Sequence, residues 1–202
     1  EAFTGQINIE LYKPENADKL NLNYFMNKNG KIENNLYYSN KNSNWRNVIL
    51  THFSTHNKEI DHNNDSFMDH PKFTQINLLN RLHYEGSDKF RIQFLTRYLF
   101  ECRDGGQLSS MSNRYKVFIE NEIIDFGAKF GYVGSENSDN GFGSQFLFRT
   151  HNLNGDFGRR NFESNQKSFS ANLIGEKIFN NENDMKYGTS LFVDKYDKTF
   201  LD

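Results

Sequence analysis

Apolar and polar side chains alternate with a period of two along most of this chain. That period belongs to extended strands, whose successive side chains point to opposite faces. The clearest case runs from Phe90 to Phe100. Phe90, Ile92, Phe94, Thr96, Tyr98 and Phe100 fall on one face, while Arg91, Gln93, Arg97 and Glu101 fall on the other with Leu95 and Leu99. An aromatic face backed by a face carrying two arginines is awkward for a sandwich core and suits a wall between lipid and water. The same alternation places Leu20, Leu22, Tyr24 and Met26 on one face, then Ile32, Leu36 and Tyr38 after the hairpin dipeptide Asn29-Gly30.

Nine strands are predicted, near 18–28, 31–40, 45–57, 74–85, 89–102, 115–134, 141–152, 166–179 and 186–200. In the sixth, Val117 and Ile119 are odd-numbered whereas Phe126, Ala128, Phe130 and Tyr132 are even, so a bulge near Ile123-Ile124 is expected to reset the faces. Tight connections alternate with long ones at 58–73, 103–114 and 153–165, the rhythm of outer-membrane barrels. The fold class expected is all-β: an antiparallel up-and-down transmembrane β-barrel segment.

Composition agrees. Thirty-one aromatic residues argue against disorder, and 29 asparagines with two prolines argue for turns and strands rather than helices. No run approaches the roughly 18 apolar residues of a membrane helix, a test that a strand-built membrane protein passes unnoticed. The formal charge of −2 gives no reason to expect a nucleic-acid partner. Cys102 is the single cysteine, so no internal disulfide forms. The chain begins Glu-Ala-Phe-Thr, and processing or truncation is expected to have removed the native start.

The opening segment does not fit the hairpin series. Thr4-Gly5-Gln6-Ile7-Asn8-Ile9-Glu10-Leu11-Tyr12-Lys13-Pro14 resembles the end of the plug domain in TonB-dependent outer-membrane receptors of the Bacteroidetes type, where a Gly-x-Ile-Asn-Ile strand closes the plug and Lys-Pro leads to the barrel. A short first hairpin, a third strand and a long acidic loop follow in matching order. The resemblance implies that residues 1–17 are the end of the plug and 18–202 the first part of the barrel. Family barrels have roughly 22 strands, so nine make an internal fragment. It further implies contact with outer-membrane lipid, TonB engaged through a missing N-terminal region, and an extracellular small-molecule or glycan ligand carried into the periplasm.

Candidate sites are few. In the loop 58–73, Asp61, Asn63, Asp65 and Asp69 occupy relative positions 1, 3, 5 and 9 of a calcium-loop pattern, with the Phe67 carbonyl at position 7. Ser66 stands where glycine is usual and Lys72 where a bidentate Glu is expected. A possible Ca²⁺ site and a solvated acidic tip are the two readings. His52, His56, His62 and His70 could bind a transition metal or simply be surface polarity. Arg91, Arg97 and Arg149 fall on predicted inward positions, facing an anionic ligand or pairing with acidic groups of plug or wall. Arg159-Arg160 reads as solvated. Gly127, Gly131, Gly141 and Gly143 precede no helix, so they read as strand kinks and turns rather than a phosphate loop. No cofactor is required and no catalytic constellation stands out, so a non-enzymatic protein is expected. The alternatives are a secreted β-sandwich carbohydrate-binding module and a complete small barrel of eight or ten strands.

Overall fold

The computed structural model describes residues 19–87, 89–134, 140–180 and 183–201. The plug-like segment at 1–17 lies outside them. The described residues are all-β: β1 (Leu20–Met26), β2 (Ile32–Asn42), β3 (Trp45–His56), β4 (Lys72–Tyr84), β5 (Phe90–Gly106), β6 (Lys116–Val133), β7 (Asn140–Phe157), β8 (Arg160–Asn180) and β9 (Asn183–Leu201). They form one antiparallel up-and-down sheet in sequence order, with no helix among the described residues. A sandwich needs a second sheet stacked about 10 Å away. Here the strands join a single open sheet with β1 and β9 as its edges.

Turn chemistry sets the register. At the β1–β2 tip, Gly30 donates to the Asn27 carbonyl (3.0 Å), Asn27 N–H to the Lys31 carbonyl (3.1 Å), and Gly30 takes φ 82°. This is a three-residue hairpin with glycine in the left-handed position. The Asn27 side chain adds two bonds, from the Asn29 and Lys31 amides, each 3.0 Å.

Cross-strand partners share a face, so the register sorts the whole sheet. One face is apolar. Phe90 pairs Tyr132, Tyr132 pairs Phe142, Phe142 pairs Gly175 and Gly175 pairs Tyr187, while Trp45 pairs Tyr84. These form an aromatic row beside the short turns, with Trp45 and Tyr84 ring centroids 4.9 Å apart and Phe90 and Tyr132 5.4 Å apart. A Cβ at Gly175 would fall 2.4 Å from the Tyr187 ring, so glycine there lets the ring lie over the strand. Beyond the row the face continues through Ile76, Leu78, Phe94, Phe126, Phe146, Phe148, Phe169 and Leu191. From β1 to β7 charged side chains appear on it only toward the strand ends, whereas Lys167 and Lys195, paired across β8 and β9, interrupt it at the level of Ile124. Where amides interrupt it, Asn80 donates to Asn47 (2.7 Å), which lowers the cost of placing them there.

The predicted strands hold, with two corrections. β6 keeps one unbroken register with both neighbours from Val117 to Val133, so no bulge resets it. Instead the two faces exchange polarity along the strand. Toward the far end of β6, β7 and β8 the formerly apolar face carries Glu120, Glu122, Asn152, Asn154, Glu163 and Asn165, and the other carries Val117, Ile119, Leu153, Phe157 and Phe162. The long connection expected at 153–165 is likewise strand, closed by a tight Gly158-Arg159 turn with Gly158 at φ 66°. Its alternation is real but inverted in sense.

Candidate functional site

The polar face carries the candidate chemistry. At its centre Arg97, Asp125 and Arg149 are direct cross-strand partners on β5, β6 and β7. Asp125 is 4% exposed. It accepts from Arg149 Nε (2.7 Å) and Nη2 (3.2 Å) and pairs with Arg97 Nη2 (2.8 Å). Two cations around one carboxylate leave a net positive centre. Neighbouring cations are tied elsewhere: Arg46 Nε to Glu85 Oε2 (2.5 Å), and Arg81 Nη2 donating to Gln93 Oε1 (3.0 Å). Of the three arginines expected to face inward, all share this face, and Arg97 and Arg149 are committed to Asp125. No carboxylate among the described residues pairs with Arg91.

Arg91 borders a hollow of about 430 Å³ toward the short-turn end. Two transverse rows supply most of its lining, and Ile92, Phe130, Ser144, Leu173 and Thr189, between them in sequence, complete it. One row runs His83, Gln93, Lys129, Gln145, Asn172 and Ser190, a polar side chain from each of β4 to β9. The next runs Arg91, Gly131, Gly143, Ile174 and Gly188. One hollow lined by the same face of six strands means that the sheet curls toward its polar side here.

The long loops dock on one another. Phe67 bridges to Gln107, Leu108 N–H donates to the Ser66 carbonyl (2.9 Å), and Met68 N–H to the Gly106 carbonyl (2.9 Å). Lys72 Nζ joins Glu59 (2.8 Å) and Asp104 (3.3 Å), and the Ser109 amide and hydroxyl both donate to Glu59 (3.0 and 2.9 Å). Those donors, Lys72 first, hold the Glu59 carboxyl down to about 2. This network has no linear signature, because its members lie up to 50 positions apart.

Within that layer Asp61 accepts from the amides of Asp65 (3.2 Å) and Ser66 (2.9 Å), Asn63 reaches Asp65 Oδ2 (2.9 Å), and Asp65 accepts from the Phe67 amide (2.8 Å). Ser66 takes φ 71°, the left-handed conformation glycine adopts in such loops. Asp69 turns instead to His62, whose ring Nδ1 and amide contact it at 2.5 and 3.0 Å; that partner lowers the Asp69 pKa. Among the described residues no three His, Cys, Asp or Glu side chains gather as a metal cage.

Of the four histidines, His56 and His70 line one hollow, and His52 and His62 have other partners. His52 bonds Asn35 (2.6 Å), His56 the Asn29 carbonyl (3.1 Å), and His62 Asp69, while His70 lies beside a separate hollow lined by His56 and Arg103. Cys102 sits half-buried between Thr74 and Glu120 on the other face. Asp125 and the glycine-lined hollow escaped sequence reasoning. Asp125 interrupts the apolar positions Ile124 and Phe126 on the arginine parity, a signal that could have marked it.

Comparison with known proteins finds no matching family model, curated protein or solved structure.

Proposed function

We propose that the chain is a segment of a TonB-dependent outer-membrane receptor, contributing wall strands of a larger plugged barrel. The receptor captures an extracellular nutrient (a siderophore, a metal complex or a glycan) and imports it to the periplasm. Residues 1–17 then close the plug, and TonB acts through regions of the whole protein other than this wall.

The observation that carries the reading is the apolar band bordered by an aromatic row. From Tyr132 to Glu122 along β6 the band spans ten residues, roughly 33 Å of strand at about 3.3 Å per residue. At the roughly 40° tilt of barrel strands this stands about 25 Å tall, the height of an outer-membrane apolar girdle. Beyond it the outward face turns to Glu and Asn, as a wall leaving lipid for water requires. A soluble sheet gains nothing by offering such a band to water.

Trp45 tests this. In the full-length protein folded into vesicles, the fluorescence lost on Trp45→Phe should be quenched by bromines placed near the lipid headgroups and less by bromines at the chain ends. Quenching by neither rejects the reading.

On the same reading the loop between β3 and β4 is an outer loop ordered by Ca²⁺. Asp61, Asn63 and Asp65 converge, and the Phe67 carbonyl follows; binding would have to draw Asp69 from His62. A calcium titration of the full-length protein should lose its signal in a variant carrying Asp61→Ala and Asp65→Ala. Equal binding removes calcium from the account.

A further inference from the structure

We infer that the hollow bordered by Arg91 and Lys129 is a binding site for an anionic, hydroxyl-rich ligand of the sugar-acid class. The inference rests on the polar face being a water-filled lumen wall, and it names the kind of solute that passes there.

The argument begins with charge. Arg91 and Lys129 are diagonal cross-strand neighbours, a separation of about 7–8 Å, and neither has a carboxylate partner among the described residues. Arg97 and Arg149, two rows beyond Lys129 on the same face, share Asp125, so this wall pairs its cations where it can. Two like charges left side by side are destabilising until an anion joins them. An Arg fork and a Lys ammonium together suit a carboxylate.

The second part is shape. A Cβ at Gly143 would meet nothing within 4 Å, and one at Gly131 would make only an ordinary contact with Arg91 at 3.6 Å. Neither glycine has a positive φ. Glycine inside a strand weakens it, and at these two positions neither backbone nor packing demands it. What their missing side chains supply is open space. By contrast Gly188 is required by the fold, since its Cβ would lie 2.6 Å from the Leu173 carbonyl.

The third part is the lining. Gln145, Asn172 and Ser190 continue the row on one side of Lys129, and Gln93, whose Oε1 accepts from Arg81, flanks it on the other. Amides and a hydroxyl offer donors and acceptors in alternation, the pattern that adjacent ring hydroxyls satisfy. A volume near 430 Å³ admits a short oligosaccharide rather than a folded partner.

The test uses the full-length protein in detergent with trigalacturonate as probe and maltotriose as its neutral counterpart, followed by calorimetry. Trigalacturonate should bind and maltotriose should not. A variant carrying Arg91→Gln and Lys129→Gln should weaken binding at least tenfold. Gly143→Met fills the hollow without touching a charge and should weaken it as much. Binding unchanged in these variants, or equal binding of maltotriose, overturns the inference. Gly143→Cys in a Cys102→Ser background separates this from the receptor reading. If it is labelled by a water-soluble maleimide yet trigalacturonate does not bind, the ligand inference fails and the lumen stands. If it is unlabelled, and the Arg91 and Lys129 changes lower thermal stability instead, another protein segment fills the hollow and the inference fails. If it is unlabelled without that loss, the lumen reading fails with it.

Discussion

Asp125→Ala should destabilise the folded protein by about 2–3 kcal/mol. Asp125 is 4% exposed and meets three guanidinium nitrogens, at 2.7, 3.2 and 2.8 Å. Removing one partner of a fully buried ion pair costs roughly 3–5 kcal/mol, because the remaining charge is left without compensation. The arginines here keep 28% and 39% exposure, so water recovers part of that loss. The result is a roughly 30- to 150-fold fall in the folding equilibrium constant. Reversible urea unfolding of the full-length protein in lipid vesicles reads it. The cycle should also be strongly non-additive. Replacing all three together (Arg97→Met, Asp125→Leu, Arg149→Met) should cost less than the sum of the single changes, because no charge is then stranded. An Asp125→Ala protein within about 0.5 kcal/mol of the parent, or an additive cycle, would refute the idea that these groups act as one unit.

Three further outcomes follow from the same geometry. Phe126→Arg, on the apolar face about 20 Å along β6 from Tyr132 and so about 15 Å in depth at a roughly 40° tilt, should cost about 2–4 kcal/mol by the same unfolding assay, as charge at mid-bilayer does; a neutral effect would remove lipid from that face. The Glu59 carboxyl is held at about 2, below its ordinary value of 4.5, so its contribution to loop docking is complete above pH 4.5 and lost as pH falls toward 2. Protection of the Ser109 amide, the ratio of its intrinsic to its observed exchange rate at each pH, should fall through that window and stay constant in Glu59→Gln, whereas identical protection profiles would discharge Glu59 from the role. Gly106→Ala should lower thermal stability by at least about 1–2 kcal/mol, since Gly106 has φ 97° and its Cβ would fall 2.2 Å from the Tyr115 carbonyl; no loss would show that this close approach is relaxed.

Much of the fold was legible because period two is a local property. Phe90 to Phe100 declared its two faces without reference to any other strand, and Asn29-Gly30 marked its hairpin. The errors came where the meaning of the period changes. At Ile123-Ile124 a switch of apolar parity reads as a bulge, yet the strand is continuous, and glutamates and asparagines take over the face that was apolar. The same inversion hid β7 and β8 beyond Leu153, where Asn154 and Asp156 look like loop residues beside Gly155 and Gly158. The candidate site was less legible. That Arg97 and Arg149 are paired while Arg91 is not depends on Asp125 lying opposite both, which only register reveals. Gly131 and Gly143 meet across two strands for the same reason. In the acidic loop Asp61, Asn63 and Asp65 bond one another over a few residues, but the turn of Asp69 to His62 depends on three-dimensional proximity.

The measurement closest to the central claim is a scan of nitroxide labels along β5, from position 90 to 101, in the full-length protein embedded in lipid. Collision rates with oxygen, which partitions into lipid, are compared with those of a water-soluble nickel chelate. The account predicts strict alternation: oxygen-rich at 90, 92, 94, 98 and 100, nickel-rich or protected at 91, 93, 97 and 101. Equal profiles on both parities, or nickel access at the even positions, would contradict a wall between lipid and a polar interior.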